Sequence, residues 1–276
     1  MKNAPLTPIV KWAGGKRRLL NKIVPFIPPD ITTYYEPFLG GASVLLAVQP
    51  HSAIVNDLNK DLITLYRIIK TDIENLIEHL RQHRNTPEYF YAIRSLDRTP
   101  TQYESMTDLE RASRMLYLNK TCFNGLFRVN SSGQFNVPFG HYKNPNIVDE
   151  KALRDIHRYF NESIIEFQNN DFEKILLNID DPSAFVYIDP PYDPITKTAS
   201  FTAYQKQGFD KTDQIRLKEC CDILTRKNIR FIASNAATDF ISELYTGYNI
   251  ITIDARRSIN TNSAKNANEV IIKNFK

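Results

Sequence analysis

The sequence predicts an α/β fold: a sheet with parallel strands, interrupted by an inserted, mainly helical segment at 59–148. Two observations carry this. Short apolar runs alternate with helical periodicities at both ends of the 276-residue chain, while the middle third is helical and loop-like. The run Phe185-Val186-Tyr187-Ile188 stops at Asp189-Pro190-Pro191, the pattern of a buried parallel strand ending in a loop. Residues 1–58 and 149–276 then make one discontinuous domain, and 59–148 a second.

Residues 34–39 read as a strand, Gly40-Gly41 as a tight turn, and Ala42-Ser43-Val44-Leu45-Leu46-Ala47 as the helix that follows. Ala53-Ile54-Val55 is a second strand, ending at Asn56-Asp57. From 61 to 70, apolar residues at 62, 63, 65, 66, 68 and 69 keep a helical period. Similar patterning covers 72–84 and 108–120. Gly, Asn, Ser and Pro then mark 124–146 as a long loop with hairpin character. A helix is predicted over 149–160, a strand over 164–167 and a helix over 212–226. Arg230-Phe231-Ile232-Ala233 is another buried strand, and 248–253 with 269–275 form a last hairpin around the polar loop 256–268.

Hydrophobic residues are 42% and charged residues 24%, which excludes collagen-like and disordered classes. Cys122, Cys220 and Cys221 make neither a disulfide framework nor a zinc pattern, which points to a reducing, cytoplasmic setting. The five histidines form no ligand cluster, so no metal is expected. No run reaches the roughly 18 apolar residues of a membrane span, and no signal region opens the chain.

The net charge of +4 is unevenly spread. Lys2, Lys11, Lys16, Arg17, Arg18 and Lys22 stand in 1–29 without an acid; Arg111, Arg114, Lys120, Arg128 and Lys143 do so in 111–148. In 255–276 the single acid is Glu269, among five basic residues, and the rest of the chain is acidic. The three basic segments either converge into a track for a polyanion or lie on separate solvated faces.

Three motifs carry chemistry. In Glu36-Pro37-Phe38-Leu39-Gly40-Gly41-Ala42, glycines at a strand-to-helix turn let backbone approach a ligand, and Asp57 at the next strand end suits a ribose diol. There is no phosphate-binding P-loop and no dinucleotide fingerprint. In Asp189-Pro190-Pro191-Tyr192, the prolines stiffen a loop, leave the Pro190 carbonyl as an acceptor beside the Asp189 carboxylate, and present a flat tyrosine ring. Those two acceptors can hold both hydrogens of an exocyclic amine and orient its lone pair. In Lys11-Trp12-Ala13-Gly14-Gly15-Lys16, two lysines bracket the only tryptophan before a helix near Arg17. By itself that segment also fits an N-terminal helix with a solvated basic face.

Together, in this order, the motifs resemble the signatures of the Dam-like alpha class of DNA adenine-N6 methyltransferases. The likeness spans essentially the whole chain. Asn124-Gly125-Leu126-Phe127-Arg128 and Phe135-Asn136-Val137-Pro138-Phe139-Gly140 are similar to the recognition segments of GATC-methylating members. The resemblance implies a Rossmann-like S-adenosylmethionine-dependent methyltransferase sheet, with 59–148 as the DNA target-recognition domain. It implies Trp12, Lys16, Glu36, Phe38, Gly40, Asp57 and Asp189 at S-adenosyl-L-methionine, and Asp189, Pro190 and Tyr192 in catalysis. It also implies Lys11, Leu126, Arg128 and Pro138 at base edges of double-stranded DNA, with Phe123 as a wedge beside a flipped adenine and Asn124 next to it. Phe123 also fits a core aromatic, and Arg128 a phosphate contact. His141 stands at a phosphate-contact position where many relatives carry Arg, which is expected to soften salt dependence.

On this reading the amino nitrogen attacks the sulfonium methyl in line, and the charge on Asp189 favours the positive charge that develops. Phe201 or Tyr204 closes the other face of the base, unless that segment is a strand end with buried aromatics. A cognate restriction endonuclease acting on the same site, without a stable complex, is an expected partner. Methylation of structured RNA is an alternative, separable by comparing transfer into duplex DNA and ribosomal RNA. A catalytically inactive DNA-binding regulator is another, separable by S-adenosylmethionine binding.

Overall fold

The computed structural model describes residues 4–194, 208–255 and 267–276. Its strands are β1 (Tyr34–Glu36), β2 (Ser52–Asn56), β3 (Ile164–Gln168), β4 (Phe185–Ile188), β5 (Arg230–Ala236), β6 (Asn249–Ala255) and β7 (Ala267–Lys273). The helices are α1 (Leu20–Ile23), α2 (Ser43–Val48), α3 (Lys60–Thr71), α4 (Ile73–Arg81), α5 (Pro87–Ser95), α6 (Pro100–Ser105), α7 (Asp108–Thr121), α8 (Glu150–Glu162), α9 (Phe172–Leu177), α10 (Lys211–Arg226) and α11 (Asp239–Leu244).

The strands make one sheet in the order β3-β2-β1-β4-β5-β7-β6. β1 to β5 pair in parallel; β7 runs antiparallel between β5 and β6. Two apolar cores flank it. In β4, Phe185 and Tyr187 enter one core while Val186 and Ile188 enter the other. Strand side chains alternate in direction, so a run that is apolar at every position belongs between two layers. The β6–β7 hairpin matches the reading of 248–275, and its connecting loop lies outside the described residues.

One of the two cores continues from Tyr34 and Val55 of the sheet through α3 to Leu116 of α7 and Phe139 of the loop. Local signals fix the ends of these helices. Asn59 caps α3 by accepting from the Leu62 N–H at 3.0 Å. Thr107 and Glu110 form a reciprocal capping box at the start of α7. The loop after α7 turns back in bridges that pair Cys122 with Phe139 and Val129 with Phe135, the expected hairpin character.

Where α4, α5 and α7 meet, His83 is held by the Tyr89 hydroxyl and the Ser113 hydroxyl, each at 2.9 Å, and stacks on Tyr117. Burial first, and then His79 beside it, pulls its pKa down to about 4. The folded chain thus prefers neutral His83, and the stability this confers is lost as pH falls from about 6.5 toward 4. The thermal midpoint is expected to drop across that window, with a shallower slope in His83→Gln; equal slopes in calorimetry at pH 7, 5.5 and 4 would show that another group governs it.

Candidate active site and nucleic-acid interface

Strand order reverses between β1 and β4, and open α/β sheets take ligands in the crevice beyond the carboxyl ends at such a point. The predicted motifs arrive at this rim. β1 runs into Pro37-Phe38, β2 into Asp57, and β4 into Asp189-Pro190-Pro191-Tyr192.

Lys16 reaches the same point from the N-terminal segment. The residue is 4% exposed, and its ammonium donates to the Gly14 carbonyl at 2.7 Å. It also pairs with Asp189 Oδ1 at 2.8 Å. The Ser234 hydroxyl of β5 donates to that same oxygen at 2.7 Å. Two donors on Oδ1 stop the carboxylate from rotating. The Lys16 charge also offsets that of Asp189, so the pair carries less net negative charge than the carboxylate alone.

Tyr192 lies with the Lys16 ammonium 4.6 Å from its ring centroid and its hydroxyl donating to Glu269 Oε2 at 2.8 Å. The Pro-Pro loop is held by buried polar residues. Gln214 donates to the Pro191 carbonyl at 2.9 Å, and Asn235 accepts from the Asp193 N–H at 3.1 Å.

Asp57 accepts from the backbone N–H of Gly40 and of Asn59, both at 2.9 Å, and burial raises its pKa. Gly40 has φ +48°, and a Cβ there would sit 2.9 Å from Trp12. The room its missing side chain leaves is filled by the Trp12 indole, which also stacks on Phe127 at 5.0 Å. Phe38 joins Phe172 and Phe209 in an aromatic cluster. Glu36 is turned inward: it is buried, accepts from the Tyr34 hydroxyl at 2.9 Å, and burial holds its pKa well above the carboxylate range. The structure therefore gives Glu36 a partner from its own strand.

A second surface forms where the N-terminal segment meets the loop after α7. Asn119 accepts from the Lys11 N–H at 2.9 Å and donates to the carbonyls of Lys11 and Gly125. The Lys11 side chain lies against Gly125, where any Cβ would come within 2.4 Å of it, and its ammonium is 5.5 Å from the Tyr142 ring centroid. Two of the three basic segments are thereby joined. Around Lys11 the chain exposes Phe123, Asn124, Arg128, Pro138 and His141, with Leu126 half-buried. Phe123 is 51% exposed, which removes the core-aromatic reading. Asn124 and His141 both have positive φ, near +55°, conformations that turn the chain sharply at the ends of the patch. Phe201 and Tyr204 lie outside the described residues, as does the 256–266 part of the third basic segment.

A model of the D12 class N6 adenine-specific DNA methyltransferases matches residues 12–259. The chain belongs to this family. Its relatives include Type II methyltransferase M1.LlaDCHI of Lactococcus lactis subsp. cremoris, 41% identical over 98% of this chain and 96% of the relative. Type II methyltransferase M.MjaIII of Methanocaldococcus jannaschii is 37% identical over 97% and 99%. The DNA adenine methylase of Escherichia coli K12 is 34% identical over 92% and 89%. The D12 methyltransferase fold is thus the mixed α/β sheet described above, and the chain is an adenine-specific DNA methyltransferase.

Four groups around this site escape a reading of the sequence. Ser234 and Gln214 reach the tetrad from β5 and α10 and no local pattern flags them, while Glu269 stands out in sequence only as the single acid of 255–276, with nothing to tie it to the tetrad. Asn119 had a signal: a polar residue on the buried side of a predicted helix, only 2% exposed in the fold.

Proposed function

We propose that this methyltransferase acts on adenine within double-stranded GATC sites, taking the base out of the duplex and directing its amino nitrogen in line at the methyl. The observation that carries this reading is the Asp189 carboxylate, pinned through Oδ1 beside the Pro190 carbonyl at the topological switch. With Oδ1 engaged, Oδ2 accepts one amino hydrogen and the Pro190 carbonyl the other, which turns the lone pair outward. Positioning of this kind supplies most of the acceleration when the chemistry is one direct displacement.

The residues present fit S-adenosylmethionine. A carboxylate has about four lone-pair sites, so Asp57 can hold a ribose diol while keeping its two backbone bonds. Phe38 and Phe172 offer an apolar wall, and an ammonium has three donors, two of which Lys16 spends on Gly14 and Asp189. When bound, S-adenosylmethionine supplies an electrophilic methyl on a sulfonium.

The surface around Lys11 supports the recognition reading. Lys11 and Arg128 can donate to guanine O6 and N7, Leu126 and Pro138 can pack on a thymine methyl, and exposed Phe123 can fill the space of a flipped base. Segment 59–148 is then the recognition domain. The relatives named as Type II enzymes favour a restriction-linked role, with a separate endonuclease for the same site.

Expression in cells lacking adenine methylation tests the site. Their DNA is expected to resist an endonuclease blocked by methylated GATC and to be cut by one that requires it. Full cutting by the first enzyme overturns the assignment.

A further inference from the structure

We infer that Glu269 of β7 positions Tyr192, fixing the plane on which the target base rests. The inference depends on the stacking role proposed for Tyr192. Glu269 is otherwise unexplained, being the single acid among the basic residues of 255–276. The Tyr192 hydroxyl donates to its Oε2 at 2.8 Å, across 77 residues of sequence.

The backbone on both sides of Tyr192 is already fixed by the bonds from Gln214 to Pro191 and from Asp193 to Asn235. These leave the side chain free to turn about its own two torsions. The Lys16 ammonium over the ring is a weakly directional contact and does not set the tilt. A hydrogen bond at the far end of the ring does: it holds the hydroxyl in place, and because a phenolic O–H prefers to lie in the plane of its ring, donation toward Glu269 also favours one rotation of the ring about its long axis. Lys16 covers one face, so the base must take the other.

Burial, with Asp189 and Glu269 nearby, raises the phenol pKa well above its usual value. The hydroxyl therefore remains a donor, matched to a carboxylate acceptor. Removing that acceptor takes away the carboxylate to which the hydroxyl donates and leaves Ser234 as its side-chain neighbour.

Steady-state kinetics on a duplex with one target, with labelled S-adenosylmethionine, tests this in four variants. Glu269→Ala and Tyr192→Phe are each expected to lower kcat by about tenfold, the scale of one hydrogen bond to a charged group. KM for DNA and the Kd of the cofactor should stay within about twofold. Glu269→Gln keeps an acceptor oxygen and should recover most of kcat. The double variant Glu269→Ala/Tyr192→Phe should lose no more than either single one, because both remove the same bond. Additive losses, a Gln variant as impaired as Ala, or a raised KM with unchanged kcat would each overturn the positioning role. Should Glu269→Ala not fold, Tyr192→Phe and Glu269→Gln still decide it.

Tyr192→Ala separates the two layers. Wild-type kcat in Tyr192→Ala defeats the stacking role and this inference with it. A collapse in Tyr192→Ala, with Glu269→Ala and Tyr192→Phe both at wild-type kcat, defeats the Glu269 role alone.

Discussion

Asp189→Ala is expected to lower kcat by at least about 10²-fold while leaving cofactor and DNA binding measurable. The carboxylate is held on one oxygen by Ser234 at 2.7 Å and by Lys16 at 2.8 Å, so its second oxygen stands at a fixed place. Alanine removes the proposed acceptor for the amino group and also strips Lys16 of its carboxylate partner. Leaving a buried ammonium unpaired costs about 3–5 kcal/mol, so loss of fold must be told apart from loss of chemistry. Asp189→Asn does this. Its Oδ1 can still accept from Lys16 and Ser234, while an amide NH₂ replaces the second oxygen and opposes the amino hydrogens, donor against donor. The Asn variant should melt close to wild type, bind labelled S-adenosylmethionine, and still transfer methyl slowly. An Asn variant at wild-type kcat would mean that the second oxygen is not the acceptor.

The same geometry shows how far local sequence could lead. β4 was legible because four consecutive apolar residues before Asp-Pro-Pro admit few structures other than a buried strand ending at a rim. Glycine and proline punctuated the elements on either side of it. The strand predicted over 34–39 ends earlier, at Glu36, because Pro37 cannot donate to the ladder. Short helices were invisible for a different reason. α6 buries no residue and α9 has six residues, too few for a 3.6-residue period to stand out. α5 buries only Phe90, although Thr86 and Pro87 mark its start. The tetrad itself is contiguous in sequence, so its chemistry could be stated from four residues. Its support comes from β5, α10 and β7, whose positions depend on a strand order that no local pattern encodes. The Gly40-Gly41 turn reads as room for a ligand, yet at Gly40 the neighbour is Trp12, which comes from 28 residues earlier in the chain and cannot be seen without the fold.

Arg128→Ala is expected to relax the choice at one base pair by about 1–3 kcal/mol, roughly a tenfold to hundredfold gain for the wrong base relative to the right one. Arg128 is exposed, and its Nε donates to Asn136 Oδ1 at 2.7 Å across the loop closed by the Val129–Phe135 bridge. That bond fixes the plane of the guanidinium and leaves the fork of terminal nitrogens as the part that can meet guanine O6 and N7. The backbone of Lys11 is tied by Asn119 to Gly125, so the backbone segments that carry the two cationic side chains keep a set spacing. A spacing held by the protein is what makes a mismatch costly, since the side chain cannot follow a displaced acceptor. The measurement is kcat/KM on duplexes substituted one position at a time within GATC. A base reader gives a loss confined to one position with little change in salt dependence. A phosphate contact gives a uniform loss on every duplex and lowers the salt slope by about one. The uniform result would withdraw Arg128 from the base edges and leave Lys11 as the guanine reader of this surface.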